Sequence, residues 1–148
     1  MFSKVLVLCI GNICRSPMAA ALLQERSTVQ VASAGLRACI GQDMDPLAQS
    51  VLREAKVEVH KHHARQVSVD MLHWAELILL MDHSQMQKVV ELAPEVRGKS
   101  FLIGKWQKGL EIADPYRRPR KMFQHTYDHL SRCVDDWLPH LSHEEHTK

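Results

Sequence analysis

The chain has 148 residues, of which 45% are hydrophobic and 24% charged, with a net charge of +2. That length suits one domain with a substantial core, and the near-neutral balance gives no sign of general nucleic-acid affinity. The first apolar run is too short, and lacks a basic flank, for a signal peptide or a membrane span, so a cytoplasmic protein without membrane insertion is expected.

Residues 4–8 hold a continuous apolar run from Val5 to Leu8, as a strand covered on both faces would. After a short loop, Ser16 reads as an N-cap and Pro17 as the first residue of a helix reaching about residue 26. On it Met18, Ala21, Leu22 and Glu25 share helical spacing. Residues 29–32 read as a second, short strand. Pro46 opens a helix whose Leu47, Val51 and Leu52 face inward. Residues 67–73 suggest one or two helical turns, and residues 75–81 a strand around Leu77, Ile78, Leu79 and Leu80. A helix over 84–92 is stopped by Pro94, and residues 100–103 form a fourth strand. Pro119 starts a long last helix on which Phe123, Tyr127, Leu130, Val134 and Trp137 recur. The alternation predicts an α/β fold with a parallel sheet and crossover helices. It reads as a single domain over 1–142, without repeats, followed by a flexible tail over 143–148.

The loop after the first strand carries the chemistry. It delivers the Cys9 thiol and the Arg15 guanidinium to a helix N-terminus, where N–H groups and the helix dipole favour an anion. An arginine there grips phosphate with two parallel hydrogen bonds. The same fields favour the thiolate, the nucleophilic form of cysteine. Gly11 allows close backbone approach, and Asn12 tolerates the left-handed conformation that a nest of N–H groups needs. On these residues alone, a structural cysteine beside an unrelated arginine is the competing reading. The four cysteines, Cys9, Cys14, Cys39 and Cys133, have no zinc-ligand spacing and read as free thiols.

Cys9-Ile10-Gly11-Asn12-Ile13-Cys14-Arg15-Ser16-Pro17 resembles the phosphate-binding signature of the low-molecular-weight protein tyrosine phosphatases. Ser33-Ala34-Gly35 and Asp114-Pro115-Tyr116 stand where that family carries its other motifs, and the resemblance covers about residues 3–140. It is nearest to the bacterial branch that acts on tyrosine autokinases of capsule and exopolysaccharide export. The resemblance implies a four-stranded parallel sheet of order 2-1-3-4 with helices on both faces. It also implies a phosphoric monoester hydrolase that works through a cysteinyl-phosphate, on a phosphotyrosine protein such as an autokinase with a tyrosine-rich tail. Cys9 would be the nucleophile and Asp114 the general acid. Arg15 would bind phosphate together with the loop residues Ile10, Gly11, Asn12, Ile13 and Cys14. Asn12, Ser16, Ser33 and His62 would support the loop, and Ser16 would also bond the Cys9 sulfur. Tyr116 would wall the cleft opposite Leu36 and Ile40, whose apolar character suits an aromatic ester but equally suits core packing. Cys14 would act as resolving thiol for an oxidised Cys9. Eukaryotic members usually carry a second tyrosine after the first; Arg117 stands there instead, which speaks against regulation through paired tyrosines.

No cofactor and no metal are expected, because phosphoryl transfer through cysteine needs none. His60, His62 and His63 cluster without a nearby carboxylate, which favours a solvated or structural role over a metal site. Arg117, Arg118, Arg120 and Lys121 sit at a helix start, where positive charge opposes the dipole. A solvated face and a docking site for an acidic or multiply phosphorylated partner are both open readings there. Arsenate reductases share the implied fold but need a downstream cysteine pair, and no cysteine lies between Arg53 and Ser131. A non-catalytic phosphotyrosine-binding module would lack Cys9, Arg15 or Asp114.

Overall fold

The structure, a computed structural model, describes residues 1–143. β1 (Lys4–Cys9) pairs with β2 (Gln30–Gly35) on one side and β3 (Leu77–Leu80) on the other, and β4 (Ser100–Leu102) lies outside β3. All pairs are parallel, in the order β2-β1-β3-β4 expected from the resemblance. Side chains alternate along a strand, so Val5, Val7 and Cys9 enter one apolar layer while Leu6 and Leu8 enter the other.

The first layer is closed by Met18 and Leu22 of α1 (Arg15–Arg26), Val51 and Leu52 of α2 (Pro46–Glu54), and Phe123, Leu130, Val134 and Trp137 of α5 (Arg120–Trp137). The second takes Leu72 of α3 (Val69–Trp74), Val89 of α4 (His83–Leu92) and Val96. Trp137 satisfies its buried ring N–H on the Ile103 carbonyl at 2.8 Å. Phe2 pairs with Leu141 and ties the residues before β1 to the segment that follows α5. Among the described residues no helix is long and apolar enough to cross a membrane.

Several boundaries differ from the sequence reading for tertiary reasons. β2 runs on to Gly35 because Ser33, Ala34 and Gly35 pair with Val7, Leu8 and Cys9, and the ladder overrides their weak strand propensity. A Cβ on Gly35 would lie 2.5 Å from the Ile10 carbonyl oxygen, so only glycine lets β2 end against the loop after β1. α1 begins at Arg15, with Cys14 and not Ser16 as its N-cap. Glu25 is exposed, and Leu23 takes the inward place. Leu47 is half-buried at the edge of its layer. Pro94 opens a 3-10 helix over Pro94–Lys99 after the stop it imposes on α4. Of the expected tail, His143 is exposed, and 144–148 lie outside the described residues.

Candidate active site

The loop of residues 10–14 leaves the carboxyl end of the central strand, where open parallel sheets bind ligands. Cys9 is 2% exposed. Its sulfur receives the Asn12 N–H at 3.3 Å and lies 2.9 Å from Ser16 Oγ. Asn12 has φ 60°, the left-handed conformation anticipated for it. Its side chain is the hub of the loop. Nδ2 donates to Ser16 Oγ at 2.8 Å and to Ser33 Oγ at 3.1 Å, and Oδ1 accepts the Arg65 N–H at 3.0 Å. His62 Nε2 meets the Asn12 carbonyl at 2.6 Å. The structure thus brings together Asn12, Ser16, Ser33 and His62. Because Ser16 Oγ accepts from Asn12, its own proton is free to point at the Cys9 sulfur. This duty replaces the capping role read from sequence. Among the described residues no side chain caps α1, so its first-turn N–H groups face the loop without an acceptor from a cap.

Arg15 is 3% exposed. Nη1 donates to the Ile112 carbonyl at 2.8 Å and lies 3.7 Å from Asp82 Oδ2, while Nη2 lies 3.6 Å from Asp114 Oδ2. A buried guanidinium needs such partners to offset its desolvation. Asp82 and the Ile112 carbonyl were missed by sequence reasoning. The available signal for Asp82 was its place at the end of the buried strand β3, as N-cap of α4, where Oδ1 accepts the Gln85 N–H at 3.0 Å. Asp114 stands on a loop held by the Ile112 N–H on the Met81 carbonyl at 2.9 Å and by Thr126 Oγ1 on the Ala113 carbonyl at 3.2 Å. Its Oδ1 accepts the Tyr116 N–H at 3.1 Å, which fixes the carboxyl at the edge of the site.

A cleft of about 130 Å³ lies over the Cys9 sulfur, between Ile10, Ile13, Arg37, Cys39, Asp114 and Tyr116. Leu36 and Ile40, expected as a wall, are not part of it. Leu36 packs on the second apolar layer, and Ile40 is 73% exposed. The Arg37 and Cys39 N–H groups bond the Ile10 and Gly11 carbonyls, and it is Arg37 and Cys39 that line the cleft. Cys14 is buried in the same cleft, and burial, reinforced by Asp45 and Asp114, pushes its thiol far above the ordinary range. A larger cavity of about 410 Å³ lies between α1, β2 and the histidine-rich segment. It contains none of Cys9, Arg15 and Asp114. Among the described residues no histidine, cysteine or acidic cluster fits a metal ion.

The site therefore combines a buried sulfur with two donors, a fixed guanidinium, a loop carboxyl beside it and an uncapped helix start. A thiolate so placed can attack an electrophile that is anionic and oxygen-rich. A carboxyl at the rim can give a proton to a departing oxygen and take one from water.

The chain matches the family described as low molecular weight phosphotyrosine protein phosphatase over residues 4–147. It is 42% identical to the low molecular weight protein-tyrosine-phosphatase Wzb of Escherichia coli K12 across 98% of this chain and 99% of that one. The structure of Vibrio vulnificus Wzb in complex with benzylphosphonate superposes with a TM-score of 0.92 at 36% identity, covering 95% of this chain and 100% of the other. The YwlE arginine phosphatase of Geobacillus stearothermophilus superposes with a TM-score of 0.83 at 33% identity, covering 95% and 99%.

Proposed function

Because the chain belongs to the low molecular weight phosphotyrosine protein phosphatase family, we propose that it hydrolyses phosphotyrosine through a phosphate ester of Cys9. The observation that carries this is the meeting of Cys9, Arg15 and Asp114 in one small cleft. The Cys9 thiolate attacks phosphorus, the S–P bond forms and the P–O bond to the phenol breaks. Asp114, protonated, gives its proton to the departing phenolate oxygen. Arg15 and the loop N–H groups other than that of Asn12, which the sulfur takes, bind the three equatorial oxygens, whose charge grows as the bonds exchange. Asp114, now a carboxylate, takes a proton from water as that water attacks phosphorus. The S–P bond then breaks, inorganic phosphate leaves and the thiolate returns. Ser16 and the Asn12 N–H hold the sulfur in place throughout.

The walls favour an aryl ester. Ile10, Ile13 and Tyr116 offer apolar and aromatic surface, and Arg37 opposes a cationic leaving group. A phosphonate of an aryl-methyl group bound to the Vibrio relative agrees with this. The likeness to an arginine phosphatase makes phosphoarginine the reading to exclude. We infer a tyrosine autokinase of capsule or exopolysaccharide export as the physiological substrate; the 42% identity to Wzb over 98% of the chain supports that reading. Such a substrate puts the enzyme in the cytoplasm. Phosphotyrosine and phosphoarginine peptides of one sequence, given to wild type and to Cys9→Ser, test the reading. Release of phosphate from the tyrosine ester alone, abolished in the variant, is expected. Preference for phosphoarginine, or turnover surviving in Cys9→Ser, would overturn it.

A further inference from the structure

Positive charge gathers at the mouth of the cleft well beyond what a net charge of +2 spread over the chain would put there. Arg37 lines the cleft from the loop after β2, is exposed, and has no side-chain partner among the described residues. Tyr116 lines the same cleft and carries Arg117, whose guanidinium carbon lies 5.2 Å from the ring centroid. Arg117 has φ 63°, a left-handed backbone that a long side chain adopts only where its surroundings impose it. Among the described residues, Arg120 alone of the cations over residues 117–121 is ion-paired, 3.2 Å from Glu54. α5 has no acid in its first turn to offset the others.

The scissile phosphate does not account for these groups, because Arg15 and the loop N–H donors already meet it. We propose that Arg37 and Arg117 bind anionic side chains on either side of the phosphotyrosine. The substrate would then be a peptide segment with carboxylates or further phosphotyrosines close to the one being cleaved. This rests on the phosphatase reading above and adds a sequence preference to it. The Arg117 guanidinium has no hydrogen-bond or ion-pair partner among the described residues, so its N–H donors are free for the paired bonds that carboxylate and phosphate accept, while the Tyr116 ring lies beside it. Arg37 is likewise uncommitted. The pairs would form at an exposed rim, so each is weak and sensitive to salt. Their effect belongs in encounter and KM more than in the chemical step.

Phosphotyrosine peptides that differ only in their flanking residues test this with the full chain. The flanks are glutamine, glutamate, lysine or a second phosphotyrosine. Glutamate and phosphotyrosine flanks should raise kcat/KM over glutamine by roughly three- to tenfold through KM, and lysine flanks should lower it. The preference should shrink as salt rises. Arg37→Gln and Arg117→Gln should each reduce it and the double variant abolish it, while Lys88→Gln on α4 keeps it. A gain from phosphotyrosine flanks alone, lost in the double variant, supports the clamp with phosphate as its ligand. Equal kcat/KM for all flanks, or a preference that survives in the double variant, would overturn the inference while leaving the phosphatase intact. If no peptide were hydrolysed, the phosphatase reading itself would fall, and this inference with it.

Discussion

Replacing Asn12 by alanine should cost about 3–5 kcal/mol, a magnitude that follows from its contacts. The side chain is fully buried and makes three hydrogen bonds of 2.8, 3.1 and 3.0 Å to Ser16, Ser33 and the Arg65 N–H. Each contributes about 0.5–1.5 kcal/mol net, and the partners left inside the protein add to the loss. Alanine at φ 60° adds about 1 kcal/mol of backbone strain. For a domain of this size the sum corresponds to a fall in Tm of roughly 6–20 °C. Asn12→Gly loses the same bonds but not the strain, so it should be more stable than the alanine variant by about 1 kcal/mol. Thermal unfolding by circular dichroism reads the stability, and kcat/KM on an aryl phosphate reads the loop. Both should fall, and saturating phosphate should recover part of the Tm, because the anion supplies the loop with new partners. An alanine variant that melts within about 2 °C of wild type and keeps its kcat/KM would refute the claim that this hydrogen-bond hub shapes the loop.

Arg15→Lys should lower kcat/KM by roughly 10²–10³, because an ammonium cannot span two phosphate oxygens; near wild-type kinetics would remove the guanidinium from phosphate binding. Asp114→Asn should slow aryl phosphate hydrolysis by roughly 10²–10⁴ and flatten the basic limb of the pH–rate profile, and an unchanged profile would move the acid elsewhere. Peroxide should inactivate the wild type in a way that dithiothreitol reverses, whereas Cys14→Ser should recover far less; equal recovery would end the protective role of Cys14. Burial raises the Cys14 pKa, so its thiol is held protonated at neutral pH. The attacking form is the thiolate, so disulfide formation with an oxidised Cys9 should accelerate as pH rises, as mass spectrometry of quenched samples would read.

Local pattern made much of this protein legible. The apolar runs of β1 and β3 and the helical spacing on α5 place the sheet and its cover, and the short loop from Cys9 to Arg15 places the site. Ser16 was misread because its type and its place before a proline fit a cap, while its real partners, Cys9 and Asn12, meet it only once the loop has closed. The reach of β2 to Gly35 depends on pairing with β1, which no window of small residues reveals. Asp82 and the Ile112 carbonyl approach Arg15 from segments distant in the chain. Leu36 and Ile40 looked suited to an aromatic ligand by type, but the loop after β2 presents Arg37 and Cys39 to the cleft instead. Type and spacing pointed to Cys9 and Arg15, the resemblance added Asp114, and tertiary geometry decides which neighbours surround them.

The most direct measurement is the covalent state of Cys9 during turnover. In Asp114→Asn, p-nitrophenyl phosphate should still phosphorylate the enzyme, because p-nitrophenolate departs without a donated proton. The second step lacks its base, so the cysteinyl-phosphate should accumulate. Acid quenching followed by mass spectrometry of the peptide containing Cys9 should find phosphate on that sulfur, approaching one per chain, and none in Cys9→Ser. Continued turnover with no phosphate on Cys9, or a phosphate carried by another residue, would contradict the account.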